Sequence, residues 1–241
     1  MQPLVIEIWS DIACPWCFIG KRRFEAALQR TPEAGPVSVT WRAFELDPRA
    51  PKRYPDSPGH NERLARKYGV SLEEAERMVL RVVNLGKPEG IEFDFDAVKG
   101  GNTFDAHRLL AFAKASGAQH ALKERLLRAY FCEGAQISDP SALSGFAADA
   151  GLDVDAVSSV LASDQHAADV RRDEATAAEL GIRGVPFFKI GRYGVSGAQP
   201  ADLLVEVIAK ARAELDASEP MSASPKEASA AGEVCDVERG C

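Results

Sequence analysis

Two cysteines two residues apart, Cys14-Pro15-Trp16-Cys17, stand where a strand pattern gives way to a helix pattern. Ahead of them, Leu4-Val5-Ile6-Glu7-Ile8-Trp9 is a short apolar run with β-branched and aromatic members, the signature of a buried strand. Behind them, Phe18, Ile19, Phe24, Ala27 and Leu28 recur at helical spacing. Two thiols at such a junction can close a small disulfide ring and reopen it. The positive end of the helix dipole favours an anion at the first position, so Cys14 is expected to have a lowered pKa and to be the attacking sulfur. Pro15 takes the first helical position, where a missing N–H costs nothing. Cys17 lies one turn in, shielded, and suits the resolving role.

The same four residues could be half of a zinc site or two inert buried thiols. Three features favour redox use. The pair follows a strand and starts a helix. No second such pair and no histidine pair at zinc-ligand spacing lies near it, so no metal is expected. Far downstream, Gly184-Val185-Pro186-Phe187-Phe188 precedes another strand-like run.

The chain has 241 residues, enough for one ordinary core or a core with a large insertion. Apolar residues make up 46% and charged ones 27%, as in soluble globular proteins. A formal net charge of −7 argues against nucleic acid or an anionic membrane as the main partner. Met1-Gln2-Pro3 leads directly into the first strand without the basic and apolar regions of a secretory signal. A cytoplasmic location is therefore expected, where disulfides tend to be catalytic or sensing. Five cysteines are too few for a disulfide scaffold.

Residues 15–29 read as a helix ending before the turn-rich Thr31-Pro32-Glu33-Ala34-Gly35-Pro36. Residues 37–44 alternate as a second strand, which completes a βαβ unit. Residues 48–59 hold four prolines and form a loop leaving the sheet. From about 61 to 180 the pattern is almost wholly helical, with segments near 72–85, 103–115, 120–131, 138–150, 154–161 and 165–180. Asn102 is placed to cap the helix at 103. Residues 185–190 and 195–196 read as a hairpin, and 201–215 as a final amphipathic helix. The expected fold is α/β: a discontinuous thioredoxin-like domain over 1–50 and 181–216, split by an all-helical insertion over 51–180. Residues 217–241, rich in Ala, Ser, Pro and Glu, read as a flexible tail that carries Cys235 and Cys241.

Glu7 interrupts its strand. It either faces water or is a buried carboxylate of raised pKa behind the cysteine pair, taking the Cys17 proton during exchange. A carboxylate in the middle of so apolar a run favours the second.

In order along the chain, Ser10-Asp11, Cys14-Pro15-Trp16-Cys17-Phe18-Ile19-Gly20, Asn102-Thr103, Ala106-His107-Arg108-Leu109, Tyr130-Phe131, Ile137-Ser138-Asp139, Gly184-Val185-Pro186-Phe187-Phe188 and Val195-Ser196-Gly197-Ala198-Gln199-Pro200 resemble the DsbA family of thioredoxin-fold thiol-disulfide oxidoreductases, and most its FrnE-like branch. The resemblance implies that Cys14 is the nucleophile and Cys17 the resolving cysteine. It implies that Pro186 is a cis-proline facing the disulfide, and that Val185, Pro15 and Trp16 contact an extended substrate. Glu7 resembles the family's buried acid, one residue further from the pair than the usual spacing. His107 reads as a satisfied core histidine, and Cys132 as an inert buried thiol.

Three functions follow from the resemblance and the residues. The first is a protein disulfide reductase or isomerase, with protein thiols or glutathione as partners and no cofactor beyond the dithiol itself. The second is a glutathione-dependent kappa-class-like transferase or isomerase, although those relatives usually carry serine at the first cysteine. The third is a redox-independent holdase. Cys235 and Cys241 are either exposed thiols of a frayed end or a second dithiol that exchanges with Cys14–Cys17. About 18 intervening residues span about 23 Å, and tethering gives an effective concentration in the mM range.

Overall fold

The computed structural model describes residues 2–54 and 59–218. Strand β1 (Leu4–Ser10) runs beside β2 (Val37–Ala43) in parallel register, with Leu4 opposite Val37 and Ser10 opposite Ala43. Parallel neighbours need a crossover, and helix α1 (Pro15–Gln29) supplies it. On the other side of β1, β3 (Phe187–Ile190) pairs antiparallel and hairpins into β4 (Tyr193–Ser196), giving the order β2-β1-β3-β4. The hairpin turns at Gly191, whose φ of 56° is open to a residue without a Cβ.

Between β2 and β3 lie α2 (His60–Tyr68), α3 (Leu72–Gly86), α4 (Phe104–Ala113), α5 (Gln119–Cys132), α6 (Pro140–Asp149), α7 (Val154–Leu161) and α8 (Ala167–Glu179). The described chain closes with α9 (Ala201–Ser218). This is a thioredoxin-like fold carrying a large helical insertion, as the sequence pattern implies. Side-chain caps fix several helix starts: Ser71, Asp139 and Asp153 each accept a backbone N–H of the first turn. Asn102 Oδ1 accepts the Phe104 N–H at 2.8 Å, so it secures the start of α4 from one residue further out than a regular cap.

Alternation along β1 decides which residues face which layer. Leu4, Ile6 and Ile8 point to one face, where Phe24 and Ala27 of α1 and Leu204 and Ile208 of α9 bury them with Phe188 and Ile190. The other face carries Glu7 and Trp9, and Trp9 packs with Ala177 of α8, Ile182 and Phe187.

Helix α1 belongs to two cores. Its second half packs on the sheet, while Phe18 and Ile19 enter the helical core with Ile12, Leu109, Leu126, Leu127 and Phe131. Phe18 stacks on Phe131 at 6.5 Å and meets Phe93 edge-on at 6.0 Å. Each fully buried side chain of this size contributes about 1.5–3 kcal/mol, so this seam holds the start of α1 against the insertion. The pair at that start is thereby fixed from both sides.

Candidate active site

The loop from β1 to α1 is pinned by a buried carboxylate. Asp11 is 1% exposed; its oxygens take the Leu46 N–H at 2.8 Å and contact His107 Nε2 at 3.2 Å. Burial pushes the Asp11 carboxyl up, but the hydrogen bond and charge of His107, the Leu46 N–H and the charge of Lys123 outweigh it, and the net direction is down. His107 of α4 is thus a core histidine satisfied by Asp11, a partner that its apolar helix alone did not disclose.

Cys14 is the N-cap of α1 in extended conformation, Pro15 is the first helical residue, and the Cys17 N–H reaches the Cys14 carbonyl at 3.0 Å. Both cysteines are free thiols, Cys14 3% and Cys17 0% exposed. The Val185–Pro186 peptide is cis, and the Cys14 thiol lies 3.4 Å from the Val185 carbonyl oxygen, which accepts from it. Gly20 makes this approach possible: a Cβ there would sit 2.9 Å from Pro186 Cγ, tighter than real side chains tolerate. A cleft of about 870 Å³ opens in front of Cys14, lined by Pro15, Trp16, Gly184 and Val185 on one side and by Leu64, Met78, Val79 and Tyr130 on the other.

The expected lowering of the Cys14 pKa is not what the buried pair gives. Cys14 is pushed well up, first by its hydrogen bond to Cys17, then by burial and by the charges of Cys17 and Asp11. Cys17 moves the other way. Burial raises it, but the hydrogen bond from Cys14, the charge of Lys123, the Ser10 hydroxyl and the Asp11 N–H bring it down. The two sulfurs thus titrate as one buried, hydrogen-bonded pair whose proton belongs to the pair. The charge of a buried cation, Lys123, contributes to the lowering at Cys17.

Glu7 also departs from expectation. Its carboxylate accepts Arg42 Nε at 2.9 Å and Lys189 Nζ at 2.8 Å, while Arg42 reaches on to Asp173 of α8 at 2.8 Å. Burial raises the Glu7 pKa, but the hydrogen bonds of Lys189 and Arg42 and their charges outweigh it, and the net direction is down. The reason is the strand period: Glu7 points away from the Ile6 and Ile8 face on which α1 packs. It is an ionised structural tie between β1, β2 and β3, not a protonated acid behind Cys17.

The charged group that is behind Cys17 is Lys123, 1% exposed on α5, with Nζ 3.4 Å from the Ser10 carbonyl and 5.7 Å from the Trp41 ring centre. Sequence reading missed it, although a signal was present. Gln119, Lys123, Leu126 and Tyr130 share the buried stripe of α5, and a lysine in such a stripe is unusual. Cys132 ends α5 half-buried, its thiol pushed up by burial. Cys235 and Cys241 lie outside the described residues. Among the described residues, no group of three or more His, Cys, Asp or Glu side chains is arranged to hold a metal ion. None of the described helices is long and apolar enough to cross a membrane.

A dithiol at the start of a crossover helix, facing a cis-proline loop on a β2-β1-β3-β4 sheet, defines a thioredoxin-fold protein of the dithiol type. Residues 5–209 match the DSBA-like thioredoxin domain, and the chain belongs to that family. It is 42% identical to a probable DsbA oxidoreductase from Streptomyces coelicolor, with a TM-score of 0.82 over 88% of this chain and 91% of that one. It is 30% identical to the uncharacterized protein YwbO of Bacillus subtilis (strain 168), over 84% of this chain and 94% of YwbO. The cytosolic disulfide reductase DsbM from Pseudomonas aeruginosa shares the fold, with a TM-score of 0.56 at 19% identity over 89% of this chain and 98% of that one.

Proposed function

We propose that this protein exchanges disulfides with protein substrates through Cys14 and Cys17, acting as a reductase or isomerase in the cytoplasm. The observation that carries the reading is the Cys14 thiol at the mouth of the cleft, 3.4 Å from the Val185 carbonyl beside the cis bond. Cys14 attacks a substrate disulfide as its thiolate and releases one substrate sulfur, which leaves with the proton the pair gives up; Cys17, now a thiolate, attacks the Cys14 sulfur and displaces the other substrate sulfur as a thiolate. An extended substrate segment lies along Val185, with Pro15 and Trp16 against its flanks, and the apolar cleft receives the adjoining residues. Glutathione is the small-thiol partner that returns the pair to its reduced form.

The test is reduction of insulin, or unscrambling of ribonuclease, with Cys14→Ser as control. Activity that survives the substitution defeats the reading. A transferase would instead show saturable glutathione binding with turnover of a small aromatic substrate. A holdase would suppress aggregation without either active-site cysteine. The proposed exchange between Cys235–Cys241 and Cys14–Cys17 predicts slower turnover when both outer cysteines become serine; equal rates with every reductant remove it.

A further inference from the structure

The cleft in front of Cys14 is apolar in its depth and cationic at its rim. Val82, Phe95 and Tyr130 line it as buried side chains. Around them stand Arg63, Arg66 and Lys67 of α2, Arg81 of α3, and Arg183 of the loop that enters β3. Residues 63, 66 and 67 share one side of α2, because positions three and four apart are neighbours on a helix. The carboxylates among the described lining residues are Asp11 and Asp47, and both are engaged. Asp11 is buried against His107 and the Leu46 N–H, and Asp47 accepts the Arg49 N–H at 3.2 Å. A chain of formal net charge −7 thus presents a surplus of positive charge to this opening.

The sorting of charge on α2 and α3 is sharp. Glu62, Glu73, Glu74 and Glu76 are exposed and do not line the cleft, and neither does Arg77, which pairs with Glu73 at 2.6 Å. Arg63 is fixed in the wall, donating to the Val98 carbonyl at 3.1 Å and lying 5.8 Å from the Tyr54 ring centre. The other rim cations are exposed: Arg66, Lys67, Arg81 and Arg183 meet no carboxylate at ion-pair distance among the described residues. Charges of one sign around a cleft with apolar walls focus the field within it and raise the local concentration of the opposite charge.

We propose that this cleft selects polypeptide substrates whose disulfide cysteine is flanked by acidic residues. An apolar side chain beside the cysteine enters the depth of the cleft. Carboxylates further along the segment meet Arg66, Lys67 and Arg81 on one wall and Arg183 on the other. The proposal rests on the exchange reading given above and names the substrate class of that site. A polypeptide fits better than a small anion because the cations sit on three separate elements, and exposed Tyr68 and Met78 add apolar surface at the rim.

The test uses the full chain with Cys132, Cys235 and Cys241 changed to serine, so that only the active pair reacts. Peptides of equal length each carry one cysteine bonded to 2-mercaptoethanol, with the same leucine beside it. Glutamates, lysines or glutamines flank it a few residues away. Release of the peptide thiol, with dithiothreitol as reductant, is followed by chromatography. Single exposed pairs contribute little, but several act together here, so kcat/KM should be at least about tenfold higher for the glutamate peptide than for the lysine peptide at low salt. The glutamine peptide should fall between, and the difference should lie in KM. Raising the salt from about 0.01 M to about 1 M shortens the Debye length from about 30 Å to about 3 Å and should erase most of the preference. Joint replacement Arg66→Gln, Lys67→Gln and Arg81→Gln should cut it to about twofold or less. Equal KM for the glutamate and lysine peptides overturns the proposal, as does a preference that survives either the salt or the replacements. A rim that lowers KM for oxidised glutathione while treating the peptides alike overturns it in favour of a small anionic disulfide. Should the triple variant not fold, the salt series decides. Failure to turn over every peptide, and the neutral hydroxyethyl disulfide as well, would instead count against the exchange reading itself.

Discussion

The Cys14 thiol and the Val185 carbonyl oxygen lie 3.4 Å apart although 171 residues separate them in the chain. The contact joins the start of α1 to the loop entering β3, and both are fixed by β1, which pairs with β3 and leads into the turn before α1. Cys14 lines the cleft in front of this contact, whereas Cys17 has no exposed surface of its own.

Removing the second sulfur should therefore arrest exchange halfway. Cys17→Ser is expected to accumulate a mixed disulfide between Cys14 and its substrate, seen as an adduct in intact mass spectrometry and lost on adding dithiothreitol. Cys14→Ser should give no adduct at the pair. Adducts at Cys17 in that variant would show that the buried sulfur is reached directly.

Glu7→Gln should leave insulin reduction within about twofold of wild type while costing about 1–3 kcal/mol of stability, since Arg42 and Lys189 lose their shared anion. Denaturant midpoints and turnover measured on one preparation separate the two effects. A large fall in turnover with an unchanged midpoint would restore Glu7 to the chemistry.

Gly20→Ala should act through the cis-proline loop. The added methyl meets Pro186 Cγ at 2.9 Å and Phe188 Cζ at 3.4 Å, both on the far side of the site. Overpacking of this kind costs about 1–3 kcal/mol and should also slow exchange by displacing Val185 from Cys14. A chain of wild-type stability and rate would mean that the loop yields freely.

Acid stability has a definite source in α1. Burial raises Glu25, but the hydrogen bonds of His120, Lys21 and Arg22 pull it down to about 2 from an ordinary 4.5. A lowered carboxylate stabilises the folded state above its unfolded pKa, and that contribution is lost as pH falls from about 4.5 through about 2. Glu25→Gln should thus cost on the order of 2 kcal/mol near neutrality and flatten the stability profile within that window. Thermal midpoints at a series of acid pH values read both; an unchanged acid limb would mean that other carboxylates control it.

Local pattern was enough for much of this molecule. The β1 run, helix α1 from Pro15 to Gln29, the helical stretch before β3 and the closing hairpin and helix are all written in spacing, turn residues and caps, which act over a few residues. What the sequence left open depends on which faces of distant elements meet. Strand parity turned Glu7 away from the helix that carries the cysteines and gave its carboxylate to Arg42 and Lys189. Packing of α5 behind the sheet brought Lys123 to Ser10 and Trp41, and packing of α4 brought His107 to Asp11. A helix start favours an anion at Cys14 in any context, but burial and the hydrogen bond between the two sulfurs act on the pair as well, and only the folded chain fixes them.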